Sequence, residues 1–199
     1  MRDSIRYVGD LSNSDVHVLI EQGTHKRKIL EFGAGASTQI FAQLKPLKLV
    51  SMETDAEWIK RTEDNLTALK HREFVEFVPW GEIPKADYDL IFVDGRWDLR
   101  EEFALKAWNY LIKNGVMIIH DTRRWYDIEL VSKILREKHA EIKEIKVNDQ
   151  PLFARKPSNC TVIYKRQDIA YENWNEVEER EPWMWGDGEP KPIEYWPRV

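Results

Sequence analysis

The chain has 199 residues, 42% hydrophobic and 33% charged, with a formal net charge of −5 and a single cysteine. That length suits one domain with a sizeable core, and the absence of any apolar run near the ~20 residues of a membrane-spanning helix excludes a helical membrane protein. One cysteine, Cys160, excludes an internal disulfide framework and suits a reducing compartment, while the acidic balance argues against a nucleic-acid partner.

The first residues, MRDSIRYVGDLSNSD, are polar and lack the apolar segment of a secretion signal, so the expected location is cytoplasmic. Residues 14–22 read as a short helix ended by Gly23. Lys28–Phe32 (KILEF) is a short apolar run bounded by turn residues, as a buried parallel strand requires. It runs into Gly33-Ala34-Gly35-Ala36 and a helix over Ser37–Leu44, which Pro46 stops. A second strand is expected over Leu47–Glu53, then a helix over Ala56–Lys70 whose Trp58, Ile59, Leu66 and Leu69 form a core-facing stripe. Glu73–Pro79 alternates as a third strand, and Tyr88–Val93, nearly all apolar, is a fourth that ends at Asp94-Gly95. A helix over about 98–112 and an Asn114-Gly115 turn lead to a fifth strand, Val116–Ile119, ending at His120-Asp121. A helix near Tyr126–Lys138 precedes the strands Glu141–Val147 and Asn159–Tyr164, with Gln150–Ala154 as a further pairing segment between them.

Strands that alternate with helices imply right-handed crossovers and a mostly parallel α/β sheet. The last two strands have no helix between them, so one of them is expected to run antiparallel at the sheet edge. Charge divides the chain further. Residues 1–170 hold 27 basic and 27 acidic residues, whereas residues 171–199 hold eight acids, three bases, and four each of the nine tryptophans and nine prolines. Residues 1–170 are therefore read as the domain. Residues 171–199 are read as an acidic Trp/Pro-rich extension with three open roles: a lid, a homodimer contact, or a strap along the sheet edge.

In an open parallel sheet, ligands bind at the carboxyl ends of the strands. Special residues recur there: Gly33, Glu53, Trp80, Asp94 and His120-Asp121, one set for each of the first five strands. Glycines allow a tight turn and a close ligand approach, and the helix after them offers unpaired N–H groups, with Ser37 or Thr38 as its cap. Glu53 falls 18 residues after Gly35, where an acid can accept both hydrogen bonds of a ribose diol.

Through these residues the chain resembles class I S-adenosylmethionine-dependent methyltransferases over about residues 15–165. EFGAG matches their acid-x-Gly-x-Gly motif with Glu31 as the acid, and Ser37 stands where many have a third glycine. The Gly35-Ala36-Ser37-Thr38 ending, VSMETD, IFVDG and NGVMIIHD are similar to a subgroup of small-molecule O-methyltransferases. The resemblance implies a Rossmann-like three-layer sandwich around a mostly parallel seven-stranded sheet with an antiparallel edge strand. It implies S-adenosylmethionine bordered by Gly33, Ala34, Gly35, Ser37 and Thr38, with Glu53 on the ribose, Trp80-Gly81 beside the adenine and Asp94 among the cofactor contacts. A small-molecule or sugar-like hydroxyl acceptor would then be the methylated partner, with no nucleic acid or membrane involved.

Asp94, His120 and Asp121 support two alternatives. Metal-dependent relatives hold a divalent ion, magnesium or manganese, with an acid after strand four and an acidic pair after strand five. Here His120 replaces the first acid of the pair, and Arg96 stands where some relatives place a second acid as base. In the other alternative His120 is itself the general base, with Asp121 orienting it. Arg96-Trp97-Asp98-Leu99-Arg100 and Arg123-Arg124-Trp125-Tyr126 are candidate substrate walls, or solvated faces with Arg100 paired to Glu101 or Asp98. His17, His25, His71 and His139 are isolated, and Cys160 in an apolar strand reads as core. Two other functions remain open: a nicotinamide-dependent oxidoreductase, which expects glycine where Thr38 stands, and a non-catalytic binding module that kept the fold.

Overall fold

A computed structural model describes residues 5–147 and 158–166. The Gln150–Ala154 segment and the 171–199 extension lie outside the described residues.

The elements follow the apolar patterning. α1 (Asn13–Gly23) opens on a capping box in which Ser12 and Asp15 satisfy each other's backbone N–H. β1 (Lys28–Phe32), α2 (Ala36–Gln43) and β2 (Lys48–Glu53) come next. α3 (Ala56–Ala68) is capped by Asp55, whose carboxylate accepts from Glu57 N and Trp58 N. β3 (Val75–Pro79), β4 (Tyr88–Val93), α4 (Trp97–Ala107), β5 (Leu111–Ile119), α5 (Trp125–Lys138), β6 (Ile142–Val147) and β7 (Thr161–Lys165) complete the order.

The seven strands form one sheet in the order β3-β2-β1-β4-β5-β7-β6. The first five pair in parallel, and β7 pairs antiparallel with both β5 and β6. The antiparallel strand is thus the inner member of the edge pair. Two buried clusters line the two faces. Leu30, Phe32 and Val93 pack toward Phe103 and Ile134 of α4 and α5, while Ile29 and Leu90 pack toward Leu19, Phe41 and Leu66 of α1, α2 and α3. Alternation along β1 explains this: Leu30 and Phe32 point to one layer, Ile29 and Glu31 to the other. No helix among the described residues is long and apolar enough to cross a membrane.

Several boundaries differ from expectation. α4 ends at Ala107 because Trp108, fully buried, turns inward and donates from Nε1 to Glu141 at 3.0 Å. β5 therefore starts at Leu111, and Asn114-Gly115 becomes a bulge inside it: the register jumps from Tyr88↔Leu111 to Leu90↔Val116, with Asn114 at φ 62°. A 3-10 turn at Arg72–Phe74 delays β3 to Val75. On α3 only Thr62 and Leu66 are buried, and Trp58 is 44% exposed instead of core-facing.

Candidate active site

The strand order reverses between β1 and β4, whose crossovers lead to opposite faces of the sheet. The turns that follow these two strands touch backbone to backbone. Gly33 has φ 101°, and a Cβ there would lie 2.7 Å from Gly95 N and 2.8 Å from the Asp94 carbonyl carbon. A Cβ on Gly95 would meet the Phe32 ring at 2.6 Å. Only glycine fits either position, so both turns reach the floor of one cavity.

That cavity measures about 680 Å³, within the range of small-molecule sites, and Gly33, Ala34, Gly35, Ser37, Glu53, Asp94 and Arg96 line it. Glu53 fastens its wall: Oε2 accepts from Ala34 N at 3.0 Å, while Oε1 accepts from the Thr54 amide and hydroxyl and from Asp55 N. With one donor among the described residues, Oε2 keeps acceptor capacity for a ligand hydroxyl.

Glu31 lies beneath the turn, fully buried, and does not line the cavity. It accepts from the hydroxyls of Ser37, Thr38 and Ser51, the last brought opposite it by the β1–β2 register. Burial raises its carboxyl to about 7, against the pull of those three hydroxyls. Gly35 holds the cap position and its N–H donates to Thr38 Oγ1 at 2.8 Å, so Thr38 closes the first turn of α2 from the N3 position, while Ser37 and Thr38 both tie the turn to Glu31. Thr38 is itself buried behind the wall.

Two contributions to the cavity had no counterpart in the sequence reading. Val8, Gly9, Asp10 and Leu11 form one side of it. They are held by two glutamines one turn apart on α2, which act as a β-ladder would. Gln39 bonds Val8 N and O at 2.9 and 3.1 Å, and Gln43 bonds Arg6 N and O at 3.0 and 2.7 Å. The lining also includes Trp58, with Arg61 stacked 4.7 Å above its ring. Trp80, expected beside an adenine, packs instead on Phe32 at 4.8 Å and Phe103 at 6.4 Å, and neither it nor exposed Gly81 lines the cavity.

Asp94, His120 and Asp121 do come together. His120 Nδ1 lies 3.0 Å from Asp94 Oδ1 and 3.6 Å from Asp121 Oδ1. Asp121 sits at φ 59°, a left-handed conformation that aspartate tolerates. A fourth residue, Asp15 of α1, is 1% exposed and places Oδ2 3.5 Å from His120 Nε2, an ion-pair distance without hydrogen-bond alignment. Asp15 Oδ1 accepts from Ser158 Oγ and Asn159 N, which pins α1 to the start of β7. Burial alone would lower the His120 imidazole, but its contacts with Asp15 and Asp94 and the charge of Asp121 raise it to about 10. The three carboxylates around His120 thus favour its protonated form. Burial opposes ionisation of Asp15, yet His120, Ser12 and Asn159 hold its carboxyl well below the usual range.

Arg100, read from sequence as a substrate contact or a partner of Glu101 or Asp98, is only 6% exposed and reaches inward. Its guanidinium lies 3.0 Å from Asp94 Oδ1, 3.5 Å from Asp121 Oδ2 and 2.7 Å from Asp127 Oδ1. Arg96 pairs with Asp98 and Arg124 with Asp121. Beside them Trp97, Trp125 and Tyr126 are more than half exposed, and the Trp97 and Tyr126 rings lie 5.2 Å apart.

No protein-family model matches the chain, and no curated protein matches it. Solved structures do resemble it. Cofactor-bound Rv0187 from MTB shares 15% identity at a TM-score of 0.65, over 82% of this chain and 85% of that one. The O-methyltransferase TomG from Streptomyces achromogenes in complex with S-adenosylmethionine shares 16% at 0.59, over 76% and 78%. The O-methyltransferase from Bacillus cereus in complex with S-adenosylhomocysteine shares 17% at 0.60, over 78% and 83%. Identities this low establish the fold alone: a Rossmann-like α/β sandwich around a mixed seven-stranded sheet, shared with these structures.

Proposed function

We propose that the chain is an S-adenosylmethionine-dependent methyltransferase acting on an oxygen of a small-molecule acceptor. One observation carries this reading: Gly33-Ala34-Gly35, Glu53 and Asp94 line a single cavity at the switch point of the sheet. The similar structures named as O-methyltransferases support it. The main-chain turn after β1 takes the methionine part, Glu53 Oε2 accepts from a ribose hydroxyl, and Trp58 offers a ring face at the rim. Glu31, Ser37 and Thr38 hold the turn in shape.

The cofactor supplies an electrophilic methyl on a sulfonium. An acceptor oxygen forms the new bond to carbon as the carbon–sulfur bond breaks, leaving a neutral thioether. The protein must align the oxygen and take its proton. Asp94 is the carboxylate of the Asp94–His120–Asp121 cluster that lines the cavity, so it receives that proton, with the charged His120 holding it in place at 3.0 Å. Trp97, next to the lining residue Arg96, and the exposed Trp125 and Tyr126 suit an acceptor with a ring.

The test is a screen of hydroxylated acceptors for release of S-adenosylhomocysteine. A productive acceptor should lose ~10²–10⁴-fold in kcat with Asp94→Asn, the usual worth of a positioned base. Failure of every acceptor in a chain that also binds no S-adenosylmethionine would end the proposal.

A further inference from the structure

We infer that the Asp94–His120–Asp121 cluster is closed to divalent cations because the Arg100 side chain already occupies the cation's place. The spacing alone would suit an ion, since the ligand atoms of these three residues lie within 4.8 Å of one another. The charges do not. Asp94 Oδ1 carries Arg100 at 3.0 Å and His120 at 3.0 Å, which uses both its acceptor positions on that side. Asp121 Oδ2 carries Arg124 at 2.6 Å and Arg100 at 3.5 Å. An ion shared by these oxygens would stand at contact distance from a guanidinium that cannot lose its proton, in a place with little water to screen the repulsion.

Arg100 cannot easily step aside. Its Nε donates to Gly95 O at 2.6 Å and its Nη2 to Asp94 O at 3.0 Å, so the side chain closes the turn between β4 and α4. Its Nη1 also neutralises Asp127, 3% exposed, which would be left as an uncompensated buried charge. Arg100 is therefore a positioning residue: it gathers Asp94 and Asp121 from the ends of β4 and β5 as an ion would, but with a fixed planar geometry. Paired with the methyl-transfer reading above, this makes the reaction independent of magnesium and manganese.

The test reads metal binding directly and so stands apart from the methyl-transfer reading. Mn²⁺ is titrated into the full-length protein in the presence and absence of S-adenosylhomocysteine, with the free ion followed by electron paramagnetic resonance. The wild type should bind no stoichiometric Mn²⁺ through the low-millimolar range, and Arg100→Ala, which removes the guanidinium shared by Asp94, Asp121 and Asp127, should bind it more than about tenfold tighter. One Mn²⁺ per wild-type chain at micromolar affinity, lost in Asp121→Asn, overturns the inference. So does a folded Arg100→Ala chain that gains no affinity. Because that variant loses a buried ion pair, wild-type melting with Mn²⁺ and with chelator provides a second measure. Equal Tm values support the inference, and a Mn²⁺-dependent rise that Asp121→Asn removes overturns it. A wild type that binds neither Mn²⁺ nor S-adenosylhomocysteine upholds the closed cluster and defeats the methyl-transfer reading.

Discussion

Replacing Gly33 by alanine tests the contact that builds the cavity floor. The added methyl would sit 2.7 Å from Gly95 N and 2.8 Å from the Asp94 carbonyl carbon, backbone atoms that cannot rotate away. Comfortable carbon contacts begin near ~3.5 Å, so the two turns must part by something under ~1 Å. A left-handed conformation costs a residue with a Cβ about 1–2 kcal/mol, and forced backbone shifts cost about 1–3 kcal/mol. The sum, roughly 2–5 kcal/mol, corresponds to a Tm drop of roughly 4–20 °C for a chain of this size. Asp94 also moves relative to Ala34 and Glu53, and a displacement on the order of 1 Å costs ~10²-fold in rate. Circular dichroism melts and calorimetric titration with S-adenosylhomocysteine read both effects. Gly81→Ala is the control, since its nearest neighbour would be Pro79 O at 4.0 Å. A Gly33→Ala protein that matched the Gly81→Ala control in both Tm and cofactor affinity would refute the contact.

Three further outcomes follow from the geometry. Glu53→Ala should weaken S-adenosylhomocysteine binding by ~10–100-fold in calorimetry, because a charge-assisted acceptor is lost and the Ala34 amide loses its partner. Gln39→Ala removes both bonds to Val8 and should raise the KM for S-adenosylmethionine several-fold; an unchanged KM would mean the N-terminal wall does not meet the cofactor. For pH, Glu31 and His120 both bind a proton more tightly folded than unfolded, so the stability each adds is complete below its ordinary value. It is lost as pH rises, from 4.5 through about 7 for Glu31 and from 6.5 through about 10 for His120. Stability should therefore fall above neutral pH by up to ~1.4 kcal/mol per pH unit, and His120→Gln should flatten that decline.

The parallel strands and the polar residues at their ends were legible because each of β1, β2 and β4 is a short, mostly apolar segment that ends at Gly33, Glu53 or Asp94. Their order in the sheet has no local signal and comes from the crossover rule. Asp15 was missed for a different reason. Ser12-x-x-Asp15 is recognisable as a capping box, but its second partner Ser158 lies 143 positions away. Trp58 was assigned to the core by periodicity, although Asp55 as cap puts it in the first turn of α3, on the ligand side of the sheet. Arg100 looked like a surface charge because only the fold brings Asp121 and Asp127 to it. Trp80 fits a core aromatic as well as a stacking one, and in sequence nothing distinguishes the two.

The most direct measurement of the central claim is calorimetric titration of the wild-type chain with S-adenosylhomocysteine, run beside NAD⁺ and repeated in chelator. The geometry of Gly33-Ala34-Gly35, Glu53 and Asp94 predicts one S-adenosylhomocysteine per chain, no heat from NAD⁺, and the same affinity without metal. Absence of S-adenosylhomocysteine binding, or binding that survives Glu53→Ala unchanged, would contradict it.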